Sequence, residues 1–130
     1  MYRTILALGI VLGSMAAAQA ADYYAAIAYS PATGNTGWSY GCSSQEEAQS
    51  MALQKCNASD AQIGAWARNG YCALAKGDGP DYYYGWGGTR SEAELNAVNR
   101  CAEKTTGAHI VAWAFSGQSN ESYYYYYWYY

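Results

Sequence analysis

The sequence predicts an α+β fold: two tandem β-β-α-β units sharing an antiparallel sheet, with two helices packed on it and two disulfides stapling it. Three observations support this. The middle of the chain repeats itself, each copy changes from strand-like to helical patterning and back, and an even set of four cysteines is spread over the copies. A missed duplication would misassign the whole fold, so the repeat is read first. "AAIAYSPATGNTGWSY" at 25–40 answers to "CALAKGDGPDYYYGWG" at 72–87, "SQEEAQSMALQKC" at 44–56 to "TRSEAELNAVNRC" at 89–101, and "IGAWA" at 63–67 to "IVAWA" at 110–114. The order is collinear and the offset varies only from 45 to 48 residues, which chance does not produce.

Each unit opens on a short apolar run, "YAAIAYS" or "CALAK". A turn cluster follows, "SPATGN" or "GDGPD", and then an aromatic segment ending in Gly-Trp. Two runs separated by turn residues read as a β-hairpin. A helix start comes next: Ser44 with Glu47, and Thr89 with Glu92, have the spacing of a capping box, in which the hydroxyl accepts from the third helical amide. Ala48, Ala52 and Cys56, like Ala93, Ala97 and Cys101, then recur every fourth residue, with Leu53 and Val98 beside them. Such a stripe of small side chains lets a helix sit close on a sheet. Ile63–Ala67 and Ile110–Ala114 read as the third strands. Between the units, Asn69-Gly70 is the preferred pair for a type I′ turn, because both positions need positive φ. It predicts that the last strand of unit one pairs directly with the first strand of unit two.

Four cysteines allow three pairings. In a shared sheet Cys42 and Cys72 would lie at one end, and Cys56 and Cys101, which end the helices, at the other. The expectation is therefore Cys42–Cys72 and Cys56–Cys101, each contributing about 3–4 kcal/mol in the chain-entropy model. The cysteines include no C-x-x-C pair, and His109 is the only histidine, so neither a zinc site nor a thioredoxin-like motif is indicated.

Residues 1–20 have the form of a secretory signal peptide. Arg3 is followed by the apolar "TILALGIVLGSMAA" and by Ala18-Gln19-Ala20 at the cleavage position. The apolar run is short for a membrane span; the alternative is an uncleaved N-terminal anchor. Export to the periplasm or beyond is the expectation, and no transmembrane segment is expected in the mature chain. Residues 21–116 then form the duplicated domain, with units at about 22–68 and 71–116. Without Arg3, six basic residues face ten acidic ones, a net charge of −4, and no Lys/Arg cluster exists. The electrostatic footprint of a nucleic-acid or anionic-membrane partner is missing.

"AAIAYSPATGNTGWSY", a helix ending in Cys, "WARNGYCALA" and "YGWG", in that order and spacing, resemble a domain-of-unknown-function family of bacterial exported proteins, number 4189. The resemblance covers about residues 22–116. It implies a small secreted or periplasmic domain with paired cysteines, some relatives being exported mycobacterial proteins, and it brings no enzyme activity. Relatives also imply a further Cys just after the first helix, where this chain reads "NASDAQIGAW".

His109 has serines to partner it in a triad, but no G-x-S-x-G elbow, and it falls at the start of the last strand. Glu46, Glu47, Glu92 and Glu94 could suggest a paired-carboxylate hydrolase; two are already used as helix caps, and the others fall on solvated faces. Asp78 and Asp81 lie in "GDGPD", which has too few oxygen ligands for a calcium loop. No metal site and no cofactor is expected. Trp38, Trp66, Trp86 and Trp113 come in two symmetric pairs. They read as duplicated core packing, or as an aromatic platform for a glycan or peptide. Alternation along 82–84 exposes at least one tyrosine, with Tyr82 and Tyr84 the binding candidates.

Beyond the duplication, "GQSNES" at 117–122 is a polar linker. It leads to Tyr123, Tyr124, Tyr125, Tyr126, Tyr127, Trp128, Tyr129 and Tyr130. Segment 117–130 is expected to be disordered, and its rings are candidate contacts for a partner, a membrane interface or a second copy of the chain. The chain reads as a small exported bacterial envelope protein acting as a non-enzymatic binding or interaction module for a glycan or protein. The alternatives are a secreted effector or hydrolase with an unrecognised site, and a structural envelope protein that assembles through its aromatic tail.

Overall fold

The computed structural model describes residues 21–117. The leader expected over 1–20 and the rings at 123–130 lie outside them. The elements are β1 (Tyr24–Tyr29), β2 (Thr36–Cys42), α1 (Gln45–Cys56), β3 (Gln62–Arg68), β4 (Tyr71–Lys76), β5 (Tyr82–Gly87), α2 (Arg90–Ala102) and β6 (His109–Phe115). Every strand and helix read from the repeat is present, in the expected β-β-α-β order.

The strands form two three-stranded antiparallel sheets, ordered β2-β1-β3 and β5-β4-β6, so the expectation of one shared sheet is corrected. The first strand of each unit is the centre of its own sheet. Both edges of β4 are taken, by β5 and β6, and none is left for β3. Asn69-Gly70 accordingly carries the chain from one sheet to the other. Asn69 alone takes a positive φ, 51°. Its amide donates to Tyr23 O at 2.9 Å and its side-chain oxygen accepts from Tyr23 N at 2.9 Å. Gly70 N donates to Ser116 Oγ at 2.7 Å, and Ser116 N donates back to Gly70 O at 2.9 Å.

The two sheets face each other, and each carries its helix on the outside. Ala25 and Ile27 of β1 and Ala65 and Ala67 of β3 meet Cys72 and Leu74 of β4 and Ala112 and Ala114 of β6 between the sheets. The other faces of the central strands pack outward. Ala26 and Ala28 meet Ala48, Ala52 and Cys56 of α1, and Ala73 and Ala75 meet Ala93, Ala97 and Cys101 of α2. Buried on both faces, β1 and β4 read as continuous apolar runs rather than as alternation. Alanine dominates because each layer is thin. At Gly37 a Cβ would overlap the backbone of Ala52 and Cys56, and at Gly85 that of Ala93 and Ala97. The helices therefore rest directly on the strand backbone at the glycine of each Gly-Trp pair.

Both helix starts carry the expected caps. Ser44 Oγ accepts from Glu47 N at 3.1 Å and Thr89 Oγ1 from Glu92 N at 3.2 Å. The glutamates reach one residue further back than a capping box requires. Glu47 accepts from Ser43 N and Oγ at 3.0 and 2.7 Å, which holds its carboxyl below the usual range, and Glu92 accepts from Gly88 N at 3.3 Å.

The four cysteines are free and buried, so the expected pairs Cys42–Cys72 and Cys56–Cys101 are corrected. Their premise was a shared sheet. With the helices on opposite outer faces, Cys56 and Cys101 are separated by both sheets. Cys72 lies between the sheets, whereas Cys42 packs under α1. Cys42 and Cys56 share a layer but sit at opposite ends of β2: Cys56 Sγ is 3.5 Å from Asn35 O, just before the strand, and Cys42 ends it. Burial pushes the Cys72 thiol up to about 12 and raises the other three. They act as small apolar core residues, with the thiolate disfavoured.

Candidate functional site: a groove between two sheet edges

A two-sheet sandwich has two open sides. Here β3 and β5 form one and β2 and β6 the other, each pair being edge strands of opposite sheets. Period-two geometry decides which side chains line them. Gly85 must face α2, so Tyr84 and Trp86 of β5 point the other way, toward β3. Ala65 and Ala67 of β3 point into the inter-sheet core, which turns Trp66 to the outer face beside Gln49 of α1. The result is a groove of about 760 Å³ along the free edge of β3. Asn69, Gly70 and Tyr71 lie at one end and Ile63 at the other. Its rings are open: Trp86 is 64% exposed, Tyr84 48% and Trp66 43%.

The groove is anchored from both units. Arg68 Nη2 donates to Asp22 Oδ2 at 2.6 Å and Asn69 Nδ2 to Asp22 Oδ1 at 2.8 Å. The Asn69 bond and then the Arg68 bond hold the Asp22 carboxyl below its usual range. On β5 the Arg100 guanidinium lies over the Tyr84 ring at 4.5 Å, and Asn96 Nδ2 donates to Trp86 O at 2.9 Å.

The opposite side has the same plan and a different filling. Trp38 and Tyr40 of β2 face β6, and Trp113 lies on the outer face of β6. The space there is about 360 Å³. Arg90 stacks over Trp113 at 4.2 Å and is held by Glu94 at 2.5 Å. Their counterparts in unit one are Gln45 and Gln49, which supply no cation and no ion pair. Two charged residues on α2 thus narrow one groove, where α1 has two glutamines beside its twin.

The tryptophans therefore do not form the duplicated core that the sequence favours; three of the four, Trp38, Trp66 and Trp86, are exposed by 40% or more. The core is alanine and cysteine around Ile27 and Leu74. Trp66 belongs to the aromatic-platform alternative, and its direction had a signal: a strand residue between two inward alanines must face outward. Tyr84 lies on the groove wall, whereas Tyr82 stacks on Tyr29 at 4.0 Å and seals the seam between the sheets. Other candidates are placed by the same structure. Nδ1 of His109, the first residue of β6, is 2.9 Å from Gly107 O. Asp78 accepts from Thr106 Oγ1 at 2.7 Å and ties the β4–β5 turn to the approach to β6. Among the described residues no three His, Cys, Asp or Glu side chains converge, and no helix is long and apolar enough to cross a membrane.

Fold and site define a class: a duplicated four-layer α+β sandwich whose open edge carries an aromatic groove. The family model for the domain of unknown function DUF4189 matches residues 24–115, and the chain belongs to that family. It is similar to the NMR structure of Rv1813c from Mycobacterium tuberculosis, at 35% identity and a TM-score of 0.54, over 72% of this chain and 74% of that one. No curated protein matches significantly.

Proposed function

We propose that the protein is an exported, non-enzymatic binding module of the bacterial envelope, and that the β3–β5 groove receives an extended polypeptide segment. The observation that carries this reading is the combination of a free strand edge with two open tryptophans and a tyrosine along it. An edge strand offers main-chain hydrogen bonds to an added strand, and flanking pockets choose the side chains. Exposed apolar patches of this kind mark contact sites. Export is supported by Arg3, the apolar run after it and Ala18-Gln19-Ala20.

The test is a display selection of random peptides on the chain ending at Gly117, which keeps all three core clusters. Peptides rich in aromatic residues at alternate positions are expected to be enriched, and to lose binding to Trp66→Ala/Trp86→Ala. Enrichment that survives the double substitution, or no enrichment, would overturn the assignment of this groove.

A further inference from the structure

We propose that the groove has a built-in occupant: the aromatic run Tyr123–Tyr130 of the same chain. The inference rests on the groove being a peptide site, as proposed above. Four observations lead to it. The first is continuity. Ser116 exchanges two hydrogen bonds with Gly70, and Gly70 lines one end of the groove, so the chain leaves β6 at the groove mouth.

The second is length. Residues 118–122 reach about 17 Å when extended, starting from a point beside the groove lining. The eight aromatic residues would span about 26 Å as a strand, against about 23 Å for seven-residue β3. The third is chemistry. Tyrosine and tryptophan favour strand geometry, and their rings stack on other rings at the offset or tilted angles that Trp66, Trp86 and Tyr84 leave open. The fourth is the edge itself. β3, "QIGAWAR", has no proline and a single charge at its end, so the bulge that leaves Gly64 unpaired against Ile27 and Ala28 is its one device against edge pairing. A tethered segment supplies the missing cover, and its effective concentration is in the millimolar range, so even a weak contact is populated. The twin groove is narrowed by Arg90 and Glu94 and offers about half the space. In this arrangement the tail is a tethered competitor that a tighter peptide ligand must displace.

The experiment compares ¹⁵N-labelled full chain with the chain ending at Gly117, reading the indole N–H signals of Trp66 and Trp86. Each signal is assigned by Trp→Phe substitution. Both are expected to differ between the two chains, Trp38 is expected to stay in place, and the difference is expected to persist on dilution. A synthetic peptide of sequence GQSNESYYYYYWYY added to the shortened chain should move the same two signals. Identical Trp66 and Trp86 signals in the two chains would overturn the proposal while leaving the groove itself open to the display test. A difference that vanishes on dilution would overturn it in favour of a second copy's tail, and movement of Trp38 and Trp113 instead would overturn it in favour of the other groove. Should the shortened chain lose its dispersed spectrum, the full chain with Tyr123–Tyr127 replaced by serine takes its place with the same outcomes.

Discussion

Glycine at 37 and 85 is the residue-scale key to this molecule, because each lets a helix rest on strand backbone. Gly37→Ala or Gly85→Ala should force the helix away, an overpacking cost of about 1–3 kcal/mol. The expected melting temperature falls by roughly 4–8 °C per kcal/mol for a domain of this size, measurable by circular dichroism. The cysteines make a second expectation. Buried and mutually out of reach, all four should resist alkylation until the chain unfolds, and reduced and non-reduced chains should have the same mobility. Their raised pKa values also have a sign. The native state keeps protons that the unfolded chain releases, so this stabilisation is complete below the ordinary thiol range and is lost as pH rises from there through the raised values, about 12 for Cys72. Asp60 behaves oppositely. Ser30 Oγ donates to it at 2.5 Å and Ala32 N at 2.9 Å, in that order holding its carboxyl below the usual range. Its contribution is present at neutral pH and is lost as pH falls through that lowered value. Asp60→Asn should therefore lower stability at neutral pH and converge with the parent as pH falls below the ordinary aspartate range in urea titrations.

At the scale of elements, the two units are a natural comparison of one design with two fillings. Gln45→Arg with Gln49→Glu would give α1 the pair that α2 holds over Trp113. The expected outcome is a stacked guanidinium on Trp66, loss of peptide binding in the display assay, and a stability within about 0.5 kcal/mol of the parent, as for other exposed i,i+4 changes. Arg90→Gln should open the second groove and expose Trp113, seen as a red-shifted tryptophan emission. Much of this scale was legible beforehand. The capping residues Ser44 and Thr89 and the four-residue spacing of Ala48, Ala52 and Cys56 place the helices and their buried faces. The bulges at Ile27/Ala28 and Leu74/Ala75 fall at equivalent positions of the repeat, whereas the register shift at Tyr24/Ala26 between β1 and β2 has no counterpart between β4 and β5. The direction of the tryptophans was also readable, from Gly85 beside Trp86 and from the alanines that flank Trp66, but only once glycine is recognised as the helix-facing position.

For the whole molecule, the expectation concerns where the chain goes and in what company. Cells producing the full sequence should release or export a chain beginning near Ala21, detected by N-terminal mass in the envelope or medium fraction. A product retaining residues 1–20 in the cytoplasmic fraction would refute export. On the proposal that the tail covers the groove, the full chain should be a monomer by light scattering at the concentrations of the NMR comparison.

By itself the sequence determined the duplication, the eight elements and their order, the two helix caps and the family, because all of these rest on local spacing and chemistry. The tertiary structure alone decided that the units form two facing sheets, that the cysteines stay apart and that one edge remains open. Those outcomes depend on which strand edges are already occupied. Asn69-Gly70 suits a hairpin locally, yet β5 and β6 hold both sides of β4. Once the turn must cross between sheets instead, the helices fall on opposite faces, Cys56 and Cys101 are separated, and the free edges of β3 and β5 come together as the groove.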